Sequence, residues 1–159
     1  MIKKIVKEQN LLSLKLFYED KQYPFAANPF AAFCLNSNEK RISDEYCIFF
    51  ANEKSPRDEI NFVRKWDDEE QFRVALNELP DEVMQVVFLV SYLYVYPADL
   101  ICEIRDGEEK LIQKMLIQSD FIHENEHFEV ARFLRCDSGW QVSMEPKRLS
   151  GLYIEEVYS

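Results

Sequence analysis

Glycine is nearly missing from this chain, with three in 159 residues. That scarcity excludes a glycine-rich phosphate loop, whose backbone must approach its ligand closely. No G-x-S-x-G is present, and no cysteine has a persuasive histidine partner for nucleophilic catalysis. The four cysteines, Cys34, Cys47, Cys102 and Cys136, form no C-x-x-C pair. The basic start, Met1-Ile2-Lys3-Lys4, has no long apolar stretch after it, so no secretory signal is read there. Free thiols in a reducing cytosol are therefore expected, and with them a cytoplasmic location. Positive charge is also short: 19 Lys and Arg against 29 Asp and Glu leave the chain at −10. This argues against nucleic acid, whose phosphates need basic patches, and against an anionic membrane surface. The apolar run Val83–Tyr96 falls short of the roughly 20 residues that span a bilayer, so the chain is not expected to be transmembrane.

What is present reads as one globular domain covering residues 1–159. Hydrophobic residues make up 47% and aromatics 14%, enough for a packed core rather than a disordered chain. Leu12, Leu14, Leu16 and Tyr18 alternate with other residues at a period of two, the pattern of a half-buried strand. Phe30–Leu35 and Tyr46–Phe50 are short apolar runs joined by the turn chemistry of Asn36-Ser37-Asn38-Glu39-Lys40. Ile60, Phe62 and Trp66 suggest one more short strand. Phe72, Val74 and Leu76 alternate again, although the stretch Asp68–Leu79 is also rich in helix formers with an acidic first turn. Val83–Tyr96 is dominated by β-branched and aromatic residues and predicts a central strand. Asp106-Gly107 predicts a tight hairpin between Leu100–Arg105 and Lys110–Ile117, with positive φ angles at the turn. Asp137-Ser138-Gly139 repeats the device between Phe128–Arg135 and Trp140–Met144. Leu152–Val157 predicts a last strand or a helical turn. Short strands at close spacing predict an all-β, two-sheet β-sandwich with short loops and one or two helical turns.

Two segments carry candidate chemistry. The first is the acidic run Asp67, Asp68, Glu69, Glu70. Its packed carboxylates are the hard oxygen donors that calcium takes, about six to eight at a time. The alternative is a solvated acidic turn with ion pairs of little worth. The second is His123-Glu124-Asn125-Glu126-His127, which matches H-E-x-x-H. On a helix this spacing puts two histidines on one face for zinc, with a glutamate as base. It would make a small zinc metallohydrolase, with Asp137 or Glu145 as third ligand.

The order of several short motifs resembles the TerD-like family of bacterial tellurium-resistance and stress proteins. Ala31-Ala32-Phe33-Cys34-Leu35-Asn36 is similar to its A-S-A-F-L-L-N. Ser43-Asp44 with Cys47-Ile48-Phe49-Phe50 is similar to S-D-x-x-F-V-F-Y, and Asn52 with Lys54-Ser55-Pro56 to N-N-x-x-S-P. Asp68-Glu69-Glu70-Gln71 resembles D-D-E-Q. Leu79-Pro80 and Val86-Val87-Phe88-Leu89-Val90 follow in order, then Phe133-Leu134-Arg135 and Gly139-Trp140-Gln141-Val142. The resemblance implies a non-enzymatic β-sandwich that binds calcium through acidic loops. It implies work with protein partners in a membrane-associated or multi-protein stress complex. The chain departs from the family where the latter carries D-L-D: here Ala27-Asn28-Pro29 stands, leaving only the Asn28 amide and backbone carbonyls. The family's Gly- and Asp-rich loop is replaced by Arg57-Asp58-Glu59-Ile60-Asn61-Phe62-Val63-Arg64-Lys65. Asp58 and Glu59 could substitute as ligands, with Arg57, Arg64 and Lys65 competing for them. The expected calcium ligands are thus Asp67, Asp68, Glu69, Glu70 and Asn28, in a site reduced or lost. A plain scaffolding domain without metal is the third alternative.

Overall fold

The computed structural model describes residues 2–5, 10–25, 30–64, 69–91, 96–123, 126–149 and 158. Among these residues twelve strands make two antiparallel sheets. Sheet A contains β1 (Ile2–Ile5), β3 (Phe30–Leu35), β4 (Cys47–Ile48), β7 (Gln85–Ser91), β10 (His127–Cys136), β11 (Gly139–Ser143) and β12 (Lys147–Leu149). Its order is β1-β11-β10-β7-β3-β4, with β12 pairing the start of β10. Sheet B contains β2 (Leu11–Tyr18), β5 (Ile60–Arg64), β6 (Glu69–Ala75), β8 (Leu100–Asp106) and β9 (Leu111–Ile117), in the order β5-β6-β2-β8-β9. The chain crosses between sheets after β1, β2, β4, β6, β7 and β9, so each sheet is assembled from segments that alternate with those of the other. The only helical pieces among the described residues are 3-10 turns at Asp44–Tyr46, Leu76–Glu78 and Ser119–Phe121. No helix among them is long and apolar enough to cross a membrane.

The period-two alternation decides which residues fill the interior. Leu12, Leu14, Leu16 and Tyr18 of β2 face Phe30, Ala32 and Cys34 of β3 and Val86, Phe88 and Val90 of β7 in one buried cluster between the sheets. Aromatic rings tie its middle together. Phe72 of sheet B lies 4.8 Å from Phe30 and 5.4 Å from Phe88, and Phe88 lies 5.0 Å from Phe133. Tilted and edge-to-face ring pairs of this kind add about 0.5–1.5 kcal/mol each beyond area burial. The predicted central strand is β7, hydrogen-bonded to β10 on one side and β3 on the other. It runs Gln85–Ser91, with Val83 and Met84 leading in from the turn at Asp81-Glu82, while positions 92–95 of the expected strand lie outside the described residues. The helix-forming composition of Asp68–Leu79 is overridden: β6 is a strand whose Phe72 and Val74 are fully buried.

One expectation about turns needs correction. Asp106-Gly107 makes no two-residue turn. The loop runs to Lys110, the Asp106 carboxylate accepts hydrogen bonds from the Glu108 and Lys110 amides (2.9 and 3.0 Å), and the residue with positive φ is Glu109 at 65°. At the second hairpin Cys136 pairs Gly139 around Asp137-Ser138, and Gly139 does carry the positive φ, 137°. Tyr46–Phe50 shortens to the two residues of β4, with Tyr46 in a 3-10 turn. The strands β1 and β12 were not anticipated, and the expectation for Leu152–Val157 lies outside the described residues, as does Trp66.

Candidate functional site

Glu69 and Glu70, the described residues of the acidic run, do not present their carboxylates together. Strand β6 starts at Glu69, and neighbouring residues on a strand point to opposite faces. Glu70 shares the inward face with Phe72 and Val74 and is 1% exposed, paired in register with Leu16 and Arg64. Glu69 shares the outward face with Arg73 and stands opposite Phe17. The two glutamates therefore diverge across the sheet. Asp67, Asp68 and Asn28 lie outside the described residues.

A different carboxylate is the best-defined polar centre of the sandwich. Glu59 closes the loop before β5 and is completely buried. The Tyr46 hydroxyl donates to Oε2 at 2.5 Å, and the Ser55 hydroxyl (2.8 Å) and Arg57 amide (2.7 Å) both donate to Oε1. The Arg57 Nε stands 3.7 Å from Oε2. The Ser55 hydroxyl in turn accepts from the Ile60 amide at 2.9 Å, and Glu59 lends its own carbonyl to the Ala75 amide at 2.7 Å. One side chain thus joins the Asp44–Tyr46 turn, the Ser55-Pro56 loop and the start of β5. Asp58 beside it adopts φ 59°, the left-handed conformation that lets the loop fold back on the carboxylate. Burial alone would raise the Glu59 pKa; the hydrogen bonds, led by that from Tyr46, outweigh it and hold the group below its ordinary value of 4.5. On the other side of the bond, burial and then the Glu59 carboxylate push Tyr46 up to about 12. An acceptor so fully engaged by N–H and O–H donors is neither a free base nor a cation ligand. Outside the clamp, Arg57 donates to the Glu78 carbonyl at 3.0 Å and lines an open cleft of about 580 Å³ with Asn77, Glu78, Leu79, Pro80 and Asp81.

The described residues of the H-E-x-x-H segment are not in the helix that zinc ligation needs. His123 lies outside any helix, His127 opens β10, and Glu124 and Asn125 lie outside the described residues. His123 is exposed, 3.5 Å from the Glu126 carboxylate and 3.2 Å from Arg148. His127 is buried on sheet A with its Nδ1 at 2.5 Å from the equally buried Ser91 hydroxyl. Strand geometry sends the two rings into separate environments. Among the described residues no group of three or more His, Cys, Asp or Glu is placed to hold a metal ion. All four cysteines are free, and burial pushes the Cys34 and Cys102 thiols well above their usual range.

Family comparison agrees with this architecture. A family model of the TerD domain matches residues 14–99, more than half of the chain. The chain belongs to the TerD domain family. Among solved structures it resembles SAV2460, described as a protein of unknown function, with a TM-score of 0.65 at 15% identity over 96% of each chain. It also resembles SCO6318 from Streptomyces coelicolor A3(2), described as a homologue of the telluride resistance protein TerD. That likeness has a TM-score of 0.63 at 14% identity, over 90% of this chain and 92% of the other. At such identities the likeness is one of fold. No curated protein matches the chain.

The family resemblance implies calcium, and calcium needs about six to eight converging oxygens. The described residues do not fit that demand. Glu69 and Glu70 diverge, Glu59 is occupied by donors, and Asp58 is exposed on a loop beside Arg57. Sequence reasoning considered Glu59 only as a substitute ligand. Its role as a clamp was not visible because Tyr46 lies thirteen positions away. Two further polar networks were missed: Ser91 with His127, and Glu129 with Arg132, Gln85, Glu39 and Tyr158. Polar residues at outward positions of β10 were the available signal.

Proposed function

We propose that this protein is a non-enzymatic interaction module of the tellurium-resistance type, acting in a cytoplasmic stress response with its calcium loop reduced or lost. Its partners on this reading are proteins of a stress complex, membrane-associated or multi-protein, and not nucleic acid. The observation that carries the reading is the Glu59 clamp. In the loop that stands where the family resemblance expects a Gly- and Asp-rich one, a buried carboxylate is satisfied by Tyr46, Ser55 and Arg57. Internal donors give the same local neutralisation that a bound ion would supply, without a metal. Tellurium enters the proposal through the family and through SCO6318, a homologue of a telluride resistance protein.

Calorimetric titration with calcium, paired with thermal unfolding in calcium and in chelator, tests this. The expected result is no saturable heat and the same midpoint in both solutions. A saturable heat that disappears in Asp68→Ala/Glu70→Ala would restore calcium as a resident ligand and refute the loss.

A further inference from the structure

The outer face of sheet B, turned away from the sandwich core, carries the outward side chains of its strands in rows. One row runs Asn61, Arg73, Ser13, Arg105, Leu111 across β5, β6, β2, β8 and β9. Pleat alternation puts it there, because Leu12 and Leu14 on either side of Ser13 point into the core. Two arginines thus flank a serine, each about 4.5–5.5 Å from it between Cβ atoms. Ser13 is the shortest side chain of the row and forms its floor, 5% exposed. Its hydroxyl oxygen is shut off from solvent and makes no hydrogen bond among the described residues. The next outward residue of β6, Gln71, is 1% exposed, and its amide oxygen is equally without a partner there. Buried polar atoms in folded proteins are nearly all paired, so two such orphans on diagonal positions of one face call for a ligand.

The arginines differ in how they are held. Arg105 is fixed: its Nη1 donates to the Glu109 carbonyl at 2.8 Å and its Nη2 to the Glu103 carboxylate at 3.1 Å. Its Nε–H and one N–H on each Nη remain for a ligand. Arg73 is exposed and makes no hydrogen bond or ion pair among the described residues. It can close over a ligand at a cost of rotamer freedom alone. The carboxylates of this face are Glu103, Glu109 and Glu69. Glu103 is taken up by Arg105, Glu109 stands 3.5 Å from Lys15, and Glu69 lies a row beyond Gln71, opposite Phe17. The row itself holds two cations and no acid, a local reversal of sign in a chain whose net charge is −10.

We propose that Ser13, Arg73 and Arg105 form a binding site for a phosphate group. The Ser13 hydroxyl donates from the floor, Arg105 from one side and Arg73 from the other. A phosphate group carries a charge of about −1.5 to −2 at pH 7 and several strong acceptor oxygens, which suits donors converging from different directions. A carboxylate would be satisfied by a single guanidinium fork. Leu11 and Leu111 border the site and are exposed, an apolar rim for the body of a phosphate ester. The site goes beyond the interaction-module reading and depends neither on it nor on calcium.

An NMR titration of the full chain with inorganic phosphate tests it, with phenyl phosphate as a second probe and sodium chloride at matched ionic strength as the control. The Ser13, Arg73 and Arg105 amides should shift together and saturate with a midpoint of about 1 mM, the affinity of a few exposed charge-assisted bonds. Arg73→Ala should weaken binding about tenfold. Ser13→Ala should weaken it by a similar factor without lowering the thermal midpoint in phosphate-free buffer, because it removes a buried hydroxyl that has no partner. Tighter binding of phenyl phosphate assigns an esterified group resting on Leu11 and Leu111, and equal affinity assigns the free ion. No saturable shift with either probe, or the same shifts in chloride, would overturn the proposal. So would unchanged affinity in Arg73→Ala, or a lower thermal midpoint of Ser13→Ala in phosphate-free buffer, since the hydroxyl would then have a structural partner.

Discussion

Replacing Glu59 by Gln keeps the shape of the clamp and removes its charge. The amide oxygen can still accept from the Ser55 hydroxyl and the Arg57 amide, which share Oε1 in the wild type. The amide nitrogen then takes the place of Oε2 and faces the Tyr46 hydroxyl, which donates to the carboxylate, and the Arg57 Nε, its ion-pair partner at 3.7 Å. Tyr46 can rotate to accept, but the guanidinium cannot. Hydrogen bonds to a charged group contribute about 1.5–3 kcal/mol against about 0.5–1.5 for neutral ones. Three charge-assisted bonds become at best neutral ones, and the lower desolvation cost of an amide offsets part of the loss. The expected net destabilisation is about 2 kcal/mol at pH 7. For a chain of this size that lowers the thermal midpoint by roughly 4–8 °C, and urea unfolding measures the free energy directly. The pH dependence follows from the direction of the shift. Glu59 has a folded pKa below its ordinary 4.5, so its contribution is fully present above that value. It is lost as pH falls through the folded pKa. The gap between wild type and Glu59→Gln should therefore stay level from pH 5 to 8 and shrink in acid. A gap that is absent at pH 7, or that widens below pH 4.5, would refute the clamp.

Two further predictions test the core and the turns. Phe72→Ala removes the ring that joins Phe30, Phe62 and Phe88 across the sheets, and urea unfolding should show a loss of about 3–5 kcal/mol. Gly139→Ala should cost about 1–3 kcal/mol because Gly139 sits at φ 137°. Gly107→Ala should be close to neutral: its added Cβ would meet Leu11 at an ordinary 3.6 Å, and the left-handed position of that loop belongs to Glu109. Equal costs for the two glycine variants would show that the turn at Asp106 is misassigned.

Strand identity was readable wherever alternation was strong. Leu12 to Tyr18 and Phe72 to Val74 face the core as their spacing requires, because the pleat allows side chains only two directions. The same rule already implied that Glu69 and Glu70 would separate once Phe72 was placed on a strand. Their adjacency in sequence concealed it, because a row of acids looks like a ligand set until backbone geometry is imposed. The hairpin at Asp137-Ser138-Gly139 was legible for a local reason, the need for positive φ at glycine. The one at Asp106-Gly107 misled because the Asp106 side chain stabilises a longer loop through two backbone amides. The short strands β1 and β12 escaped notice because charged and polar residues dilute their pattern, and they are defined by their partners β11 and β10.

Local chemistry along the chain was thus enough for the sandwich class, the central place of Val86–Val90 and the family, since each rests on spacing that any short segment displays by itself. Which carboxylates are buried, and beside what, belonged to the tertiary structure. Glu59 finds Tyr46 across thirteen positions, Arg132 finds Glu39 across ninety-three, and Tyr158 finds Glu129 across twenty-nine. Hydrogen bonds of a few ångströms between residues so far apart exist only after the sheets have packed, so no pattern in the sequence could reveal them.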